Sequence, residues 1–149
     1  MKASFITIVD EGQTVNGPKY VEILGNLKVA LIRKRPQLIQ HGTLLLHDNA
    51  PCHTLALTQQ FLARNNMTQL SHPPYSPDMA PCDFWFFPRL KSPLKGRHFL
   101  DREELIRATD DAIRDLTKDG LLFVFEKWIE RMRKCIELEG SYVEKEQLI

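Results

Sequence analysis

Short apolar runs alternating with segments of helical periodicity predict an α/β fold for this chain of 149 residues. The length suits one domain able to bury most of its surface. A content of 43% hydrophobic and 26% charged residues belongs to a globular domain rather than a disordered or fibrous one.

The elements follow in order. Phe5-Ile6-Thr7-Ile8-Val9 is a β-branched run ended by Asp10-Glu11-Gly12, the pattern of a strand and a turn. Tyr20, Ile23, Leu24, Leu27 and Leu31 recur at helical spacing, and Pro36 bounds that helix. Thr43-Leu44-Leu45-Leu46, between Gly42 and His47-Asp48-Asn49, reads as a fully buried strand of a mostly parallel sheet. Thr54 is placed to cap a helix running to about Arg64, with Leu57 and Phe61 on one face and Asn65-Asn66 at its end. Thr68-Gln69-Leu70 is a brief second strand.

Pro73, Pro74, Pro77 and Pro81 then fix φ and remove backbone donors, so no regular element is expected there, only a rigid extended loop. Asp83 follows it, at the start of a helix, and leads into Phe84-Trp85-Phe86-Phe87. Asp101 with Glu104 forms a capping-box pattern ahead of Leu105, Ile106, Ala112, Ile113 and Leu116. Leu122, Phe125, Ile129, Met132 and Ile136 repeat at helical spacing, and Gly140 closes that last helix.

No apolar run approaches the ~18–20 residues of a membrane helix, and Met1-Lys2-Ala3-Ser4 leads into no apolar signal core, so neither a membrane nor a secreted protein is expected. Three widely spaced cysteines, Cys52, Cys82 and Cys135, argue against a disulfide framework and for a reducing compartment.

The net charge of +1 hides a pattern. Residues 17–40 carry Lys19, Lys28, Arg33, Lys34 and Arg35 against Glu22, and residues 84–100 carry Arg89, Lys91, Lys95 and Arg97 with no acid. Each segment is locally +4, and the stretch between them is −2, its acids being Asp48, Asp78 and Asp83. Basic flanks around a short acidic stretch suit an enzyme that holds a polyanion while cations sit on its carboxylates; a solvated charged face gives the same pattern.

Asp48 follows directly on an apolar strand, where ligands gather in open α/β sheets. Asp48 and Asp83 on two rigid elements suit a hard divalent cation such as Mg²⁺, while a helix cap and a strand end explain the same residues without one. His47, Cys52, His53, His72 and Cys82 include no Cys-x-x-Cys pair, so nothing sets a tetrahedral zinc site. No Gly-x-Ser-x-Gly elbow supports a serine hydrolase. Phe84 to Phe87, like Phe125 and Trp128, read as core packing rather than as base-stacking residues. Lys91, Lys95 and Arg97 are the stronger candidates for DNA phosphate contact, with Arg33, Lys34 and Arg35 either joining them or serving the helix dipole.

His47-Asp48-Asn49-Ala50 and Pro73-Pro74-Tyr75-Ser76-Pro77-Asp78-Met79-Ala80-Pro81-Cys82-Asp83-Phe84 strongly resemble the catalytic-domain motifs of mariner-family transposases. Thirty-four residues lie between Asp48 and Asp83, the separation that family places between its second and third catalytic aspartates. Glu11-Gly12-Gln13-Thr14-Val15-Asn16, Leu94-Lys95-Gly96-Arg97-His98-Phe99 and the stretch from Trp128 to Cys135 agree with it too, so the resemblance covers essentially the whole chain.

The resemblance implies an RNase H-like core, here N-terminally truncated and with C-terminal helices, in which residues 1–149 are part of a three-aspartate catalytic domain. It implies DNA as partner, transposon ends in the parent family, with a homodimer or a full-length transposase as further partners and the nucleus as place of action. In that chemistry three aspartates hold two Mg²⁺ or Mn²⁺ ions for in-line phosphoryl transfer; Asp48 matches the second acid and Asp83 the third. The first belongs on an early strand well before Gly12, yet Asp10 and Glu11, the only acids there, adjoin the glycine motif and match no such position. The helix-turn-helix modules that recognise transposon ends have no counterpart either. The expectation is therefore a chain inactive by itself, of marginal stability or dependent on association. A nucleic-acid-binding or protein-interaction module without catalysis is the alternative.

Overall fold

A computed structural model describes residues 9, 12–118 and 121–144. The chain divides into two compact units, one ending at Pro74 and the other beginning at Tyr75. The strand expected over Phe5–Val9 lies outside the described residues except for Val9, which belongs to no element.

In the first unit, α1 (Gly17–Lys34) begins where the Asn16 side chain accepts the Lys19 amide, and ends with Arg33 and Lys34 against the negative end of its dipole. Pro36 stops α1 as expected and also opens a short α2 (Pro36–Gln40), because proline is well suited to a first helical turn. Gly42, at φ +89°, makes the turn into β1 (Thr43–Leu46) that a side chain would strain.

β1 pairs in parallel with β2 (Met67–Leu70), in register Thr43 to Met67 through Leu46 to Leu70. The crossover between them carries α3 (Pro51–Thr54) and α4 (Ala56–Arg64). Leu24, Leu62 and Met67 form the buried core, with Tyr20, Leu27, Leu31, Ile39, Leu45 and Phe61 packed against it. The apolar stripe of α1 thus covers one face of the strand pair, which is why the sequence periodicities of 3.6 and 2 meet there.

Two expectations need correction in this unit. β1 is parallel but not fully buried: Leu45 joins the core while Leu44, pointing the other way, is 67% exposed. Thr54 does not cap the long helix. Pro51 starts a separate single turn in which the Thr54 hydroxyl donates to the Pro51 carbonyl, and extended Leu55 (φ −61°, ψ 144°) becomes the cap of α4. Leu57 is consequently exposed, and α4 buries Thr58 and Leu62 instead.

In the second unit the proline-rich loop is not wholly irregular, since Pro77–Met79 form one 3₁₀ turn. Next comes a π-helical turn, Cys82–Phe86, closed by the Phe87 amide donating to the Cys82 carbonyl. It runs into α5 (Phe87–Lys91). Pro88 accounts for the widened turn: it has no N–H for the Phe84 carbonyl and its ring crowds that position. Trp85 is buried, as a packing residue should be, and meets the Phe123 ring edge-on at 5.2 Å.

A second 3₁₀ turn (Ser92–Leu94) precedes α6 (Arg102–Thr117). The Asp101 carboxylate accepts the Glu104 amide at 2.7 Å, and Glu104 reaches back to the Leu100 amide at 2.7 Å, one residue earlier than the usual reciprocal bond. Helix α7 (Leu122–Glu137) ends in left-handed Glu139 and Gly140, with the Gly140 amide bonded to the Cys135 carbonyl.

The face of α7 differs from the sequence expectation. Leu122, Phe125, Ile129 and Ile136 are exposed, whereas Val124 and Arg131 are buried with Trp128 and Cys135 half-buried on the same side. Both sets recur at helical spacing, so periodicity alone could not choose between them. Arg131 decides it. Only 5% exposed, its Nη1 donates to the carbonyls of Asp78 (3.3 Å) and Val143 (3.2 Å), and its guanidinium stacks over Phe84 at 4.4 Å. Asp78, 4% exposed, accepts the Val143 amide on Oδ2 at 2.9 Å.

Replacing Arg131 with Met keeps the aliphatic stem and strips both carbonyls of their donor. Urea unfolding should show a loss of about 3 kcal/mol, against about 1 kcal/mol for Asp101→Ala at the α6 cap.

Candidate functional site

The carboxyl end of β1 delivers His47 and Asp48 to a cluster assembled by three elements. Tyr20, on α1, bonds through its hydroxyl to His47 Nδ1 at 2.7 Å. His53, on α3, stacks on His47 with ring centroids 4.5 Å apart and 13° between planes, and lies 4.2 Å from the Tyr20 ring. Its Nδ1 reaches Asp48 Oδ1 at 2.8 Å and the Asp48 carbonyl at 3.0 Å. The Ala50 amide also donates to Asp48 Oδ1, at 3.0 Å. Beside this, Asn49 Nδ2 donates to the His72 carbonyl at 2.9 Å and ties the ends of the two strands together.

Asp48 Oδ1 therefore accepts the Ala50 amide and lies against His53 Nδ1, while Oδ2 has no partner among the described residues. Its side chain is 63% exposed and that of His53 is 17% exposed. An outward carboxylate oxygen on a fixed strand end is a donor of the type Mg²⁺ and Mn²⁺ take, together with several waters.

The surroundings are tuned. Burial, with smaller contributions from Cys52 and Asp48, pushes the Tyr20 phenol up to about 12. Burial also lowers His47 below its ordinary value; His53 adds to that, while Gln69 and Asp48 oppose it. The imidazole beside Asp48 is thereby kept neutral.

Asp83 belongs to the other unit. It is exposed on the π-helical turn, where its amide donates to the Ala80 carbonyl at 2.9 Å, and no described residue bonds its carboxylate. π-helical turns inside helices are frequent at functional sites. Among the described residues no three His, Cys, Asp or Glu side chains gather closely enough to hold a metal ion, and Asp10 and Glu11 lie outside them.

The basic candidates are spread over both units. Lys91 closes α5, Lys95 follows the second 3₁₀ turn, and Arg97 lies 5.1 Å above the Phe99 ring; all three are exposed. Arg89 and Arg97 line a groove of 460 Å³ whose α6 side carries Arg107 with Glu104, Asp111 and Asp115, so that groove is close to neutral rather than anion-seeking. Arg33 and Lys34 are exposed in the last turn of α1, and Arg35 caps it with its amide on the Leu31 carbonyl. Lys28 is engaged locally, its Nζ donating to Asn65 Oδ1 at 2.6 Å.

No family model matches the chain. It is 34% identical over 142 residues to the Mariner Mos1 transposase of Drosophila mauritiana, covering 94% of this chain and 41% of that protein. It is 30% identical over 137 residues to the human histone-lysine N-methyltransferase SETMAR, covering 91% of this chain and 20% of SETMAR. The solved Mos1 transposase catalytic domain, bound with Raltegravir and Mn, superposes with a TM-score of 0.83 at 36% identity, over 89% of this chain and 68% of that one. The chain belongs to the mariner transposase family.

Its α/β architecture is accordingly that of the RNase H-like mariner catalytic domain, with a small sheet and many helices. The mariner chain spans about two fifths of the length of Mos1 transposase. Mos1 catalytic domains are also solved with Mg, and Mos1 transposase in a paired-end complex with the left transposon end, at a TM-score of 0.83 and 34% identity over 91% of this mariner chain and 40% of that one. No described helix is long and apolar enough to cross a membrane.

The sequence singled out Asp48 and Asp83 as candidates but not the residues that surround Asp48. His53 entered only as a zinc candidate, although its spacing from Asp48, five residues on and one turn into a helix opened by Pro51, could have drawn notice. Tyr20 was read as an apolar position, and nothing in its pattern distinguishes it from one.

Because the folded state holds the Tyr20 proton above its unfolded value of 10.0, its stabilising effect is complete below pH 10 and is lost as pH rises toward about 12. Absorbance at 295 nm should show one of the three tyrosines ionising last, and Tyr20→Phe should remove that phase.

Proposed function

We propose that this mariner chain carries part of a metal-dependent centre for DNA cleavage and strand transfer, with Asp48 and Asp83 each serving as a carboxylate ligand. The observation that carries the reading is Asp48: an aspartate at the carboxyl end of a parallel strand, one oxygen pinned by Ala50 and His53 and the other turned outward. The family motif around Asp83 and the Mn- and Mg-containing Mos1 catalytic domains support the same chemistry. The donor set fits the group, since both residues offer exposed carboxylate oxygens, the ligand type hard divalent cations prefer.

Mg²⁺ or Mn²⁺, when bound, supplies charge to neutralise phosphate oxygens and to lower the pKa of a bound hydroxyl. The chain's own residues do the rest. Asp48 and Asp83 would each offer a carboxylate oxygen to a cation, and the neutral His47–Tyr20 pair lies beside Asp48 without adding charge to it. Lys91, Lys95 and Arg97, helped by Arg33, Lys34 and Arg35, hold the phosphodiester backbone without reading its sequence. Transposon ends are the DNA partner in this reading, a second transposase chain the protein partner, and the nucleus the place of action. The paired-end complex of Mos1 with the left transposon end supports the first of these.

Binding of this chain to duplex DNA should weaken steeply with salt. Changing Lys91, Lys95 and Arg97 together to Gln should reduce the slope of log K against log salt by about 3. Loss of affinity without a change of slope would argue against phosphate contact. Asp48→Asn and Asp83→Asn should leave metal-free DNA binding unchanged and remove Mn²⁺ uptake; variants that retain Mn²⁺ would refute the ligand assignment.

A further inference from the structure

We infer that His53 is a positioning residue for Asp48: its Nδ1–H pins Oδ1 so that Oδ2 alone faces outward toward a cation. The inference rests on the reading of Asp48 as a metal ligand and adds what fixes its orientation.

An aspartate side chain that is 63% exposed has rotamer freedom to lose before it can ligate in one geometry. A lone amide donor, here from Ala50 at 3.0 Å, restrains it only locally. His53 Nδ1 stands 2.8 Å from the same oxygen and 3.0 Å from the Asp48 carbonyl, so its proton is shared between the side chain and backbone of Asp48. The His53 ring packs against both His47 at 4.5 Å and Tyr20 at 4.2 Å, with a side-chain exposure of only 17%. Tyr20 is anchored in turn through the 2.7 Å bond from its hydroxyl to His47, and it packs on the core of Leu24, Leu62 and Met67.

Orientation thus passes from the core through Tyr20 and His53 to one carboxylate oxygen. Hydrogen bonds of this kind to ligating groups typically govern metal affinity by 10–100-fold. The Nδ1 contact also sets which substitution is conservative. The side-chain amide of Asn places a donor near where Nδ1 stands, whereas that of Gln extends to the Nε2 position.

The test uses the whole chain and its His53→Asn, His53→Gln and His53→Ala variants. Three-bond NMR couplings of the Asp48 β-protons should report one χ1 rotamer in the wild type and in His53→Asn, and rotamer averaging in His53→Gln and His53→Ala. Averaging already present in the wild type, or a single rotamer in all four proteins, would overturn the inference. Gln keeps size and polarity, so a poorly folded Ala variant does not decide the outcome. Mn²⁺ binding, followed by the electron paramagnetic resonance of the free ion, should be equal within about threefold for wild type and His53→Asn and at least tenfold weaker for the other two. Equal Mn²⁺ affinity in all four would also overturn it. Should the wild type take up no Mn²⁺, the ligand reading of Asp48 fails, and the χ1 couplings still decide what His53 does.

Discussion

A guanidinium cannot be buried without partners, and Arg131 finds its partners on three separate stretches of chain. The Asp78 carbonyl comes from the proline-rich loop, the Val143 carbonyl from beyond the last helix, and the Phe84 ring from the turn that carries Asp83. The Asp78 loop has only a single 3₁₀ turn, and the segment around Val143 has no regular element, to fix it in place. Their arrangement follows from the cost of leaving the charge unsatisfied. Asp78 closes the loop by accepting the Val143 amide, so a buried acid and a buried base share the same two segments. The residue preceding Phe84 is Asp83, on the same π-helical turn.

The first unit solves a similar problem with uncharged parts. Its parallel strand pair ends in polar residues, and the α1 helix that covers the sheet contributes Tyr20 at the point where the strands stop. Stacked rings then extend the packing of the core to the edge of the site. Polar atoms in that stack are oriented by shape as much as by bonding, and burial keeps both the phenol and the His47 imidazole in their neutral forms.

Much of this was legible in the sequence. Helix α1, the caps of α6, the parallel strand pair and the two aspartates each carry a local signature, either a period, a cap or a motif. Three things were hidden. The side of α7 that is buried depends on Arg131, and in a pattern of apolar and polar residues a buried arginine is indistinguishable from a solvated one. Thr54 resembles a cap, but Pro51 begins a helical turn before it, so the competing start three residues earlier wins. Leu44 and Leu45 look alike as letters, and only the location of α1 decides that one is covered and the other exposed. In each case the missing information was a partner distant in sequence.

Val143 is the most thoroughly buried apolar residue of the second unit, with 1% of its surface exposed, and both its amide and its carbonyl are used. A residue outside every helix therefore helps hold the Asp78 loop and the end of α7 together. A chain ending just after Gly140 would keep α7 and both Asp48 and Asp83, yet leave the buried Arg131 and Asp78 short of bonds.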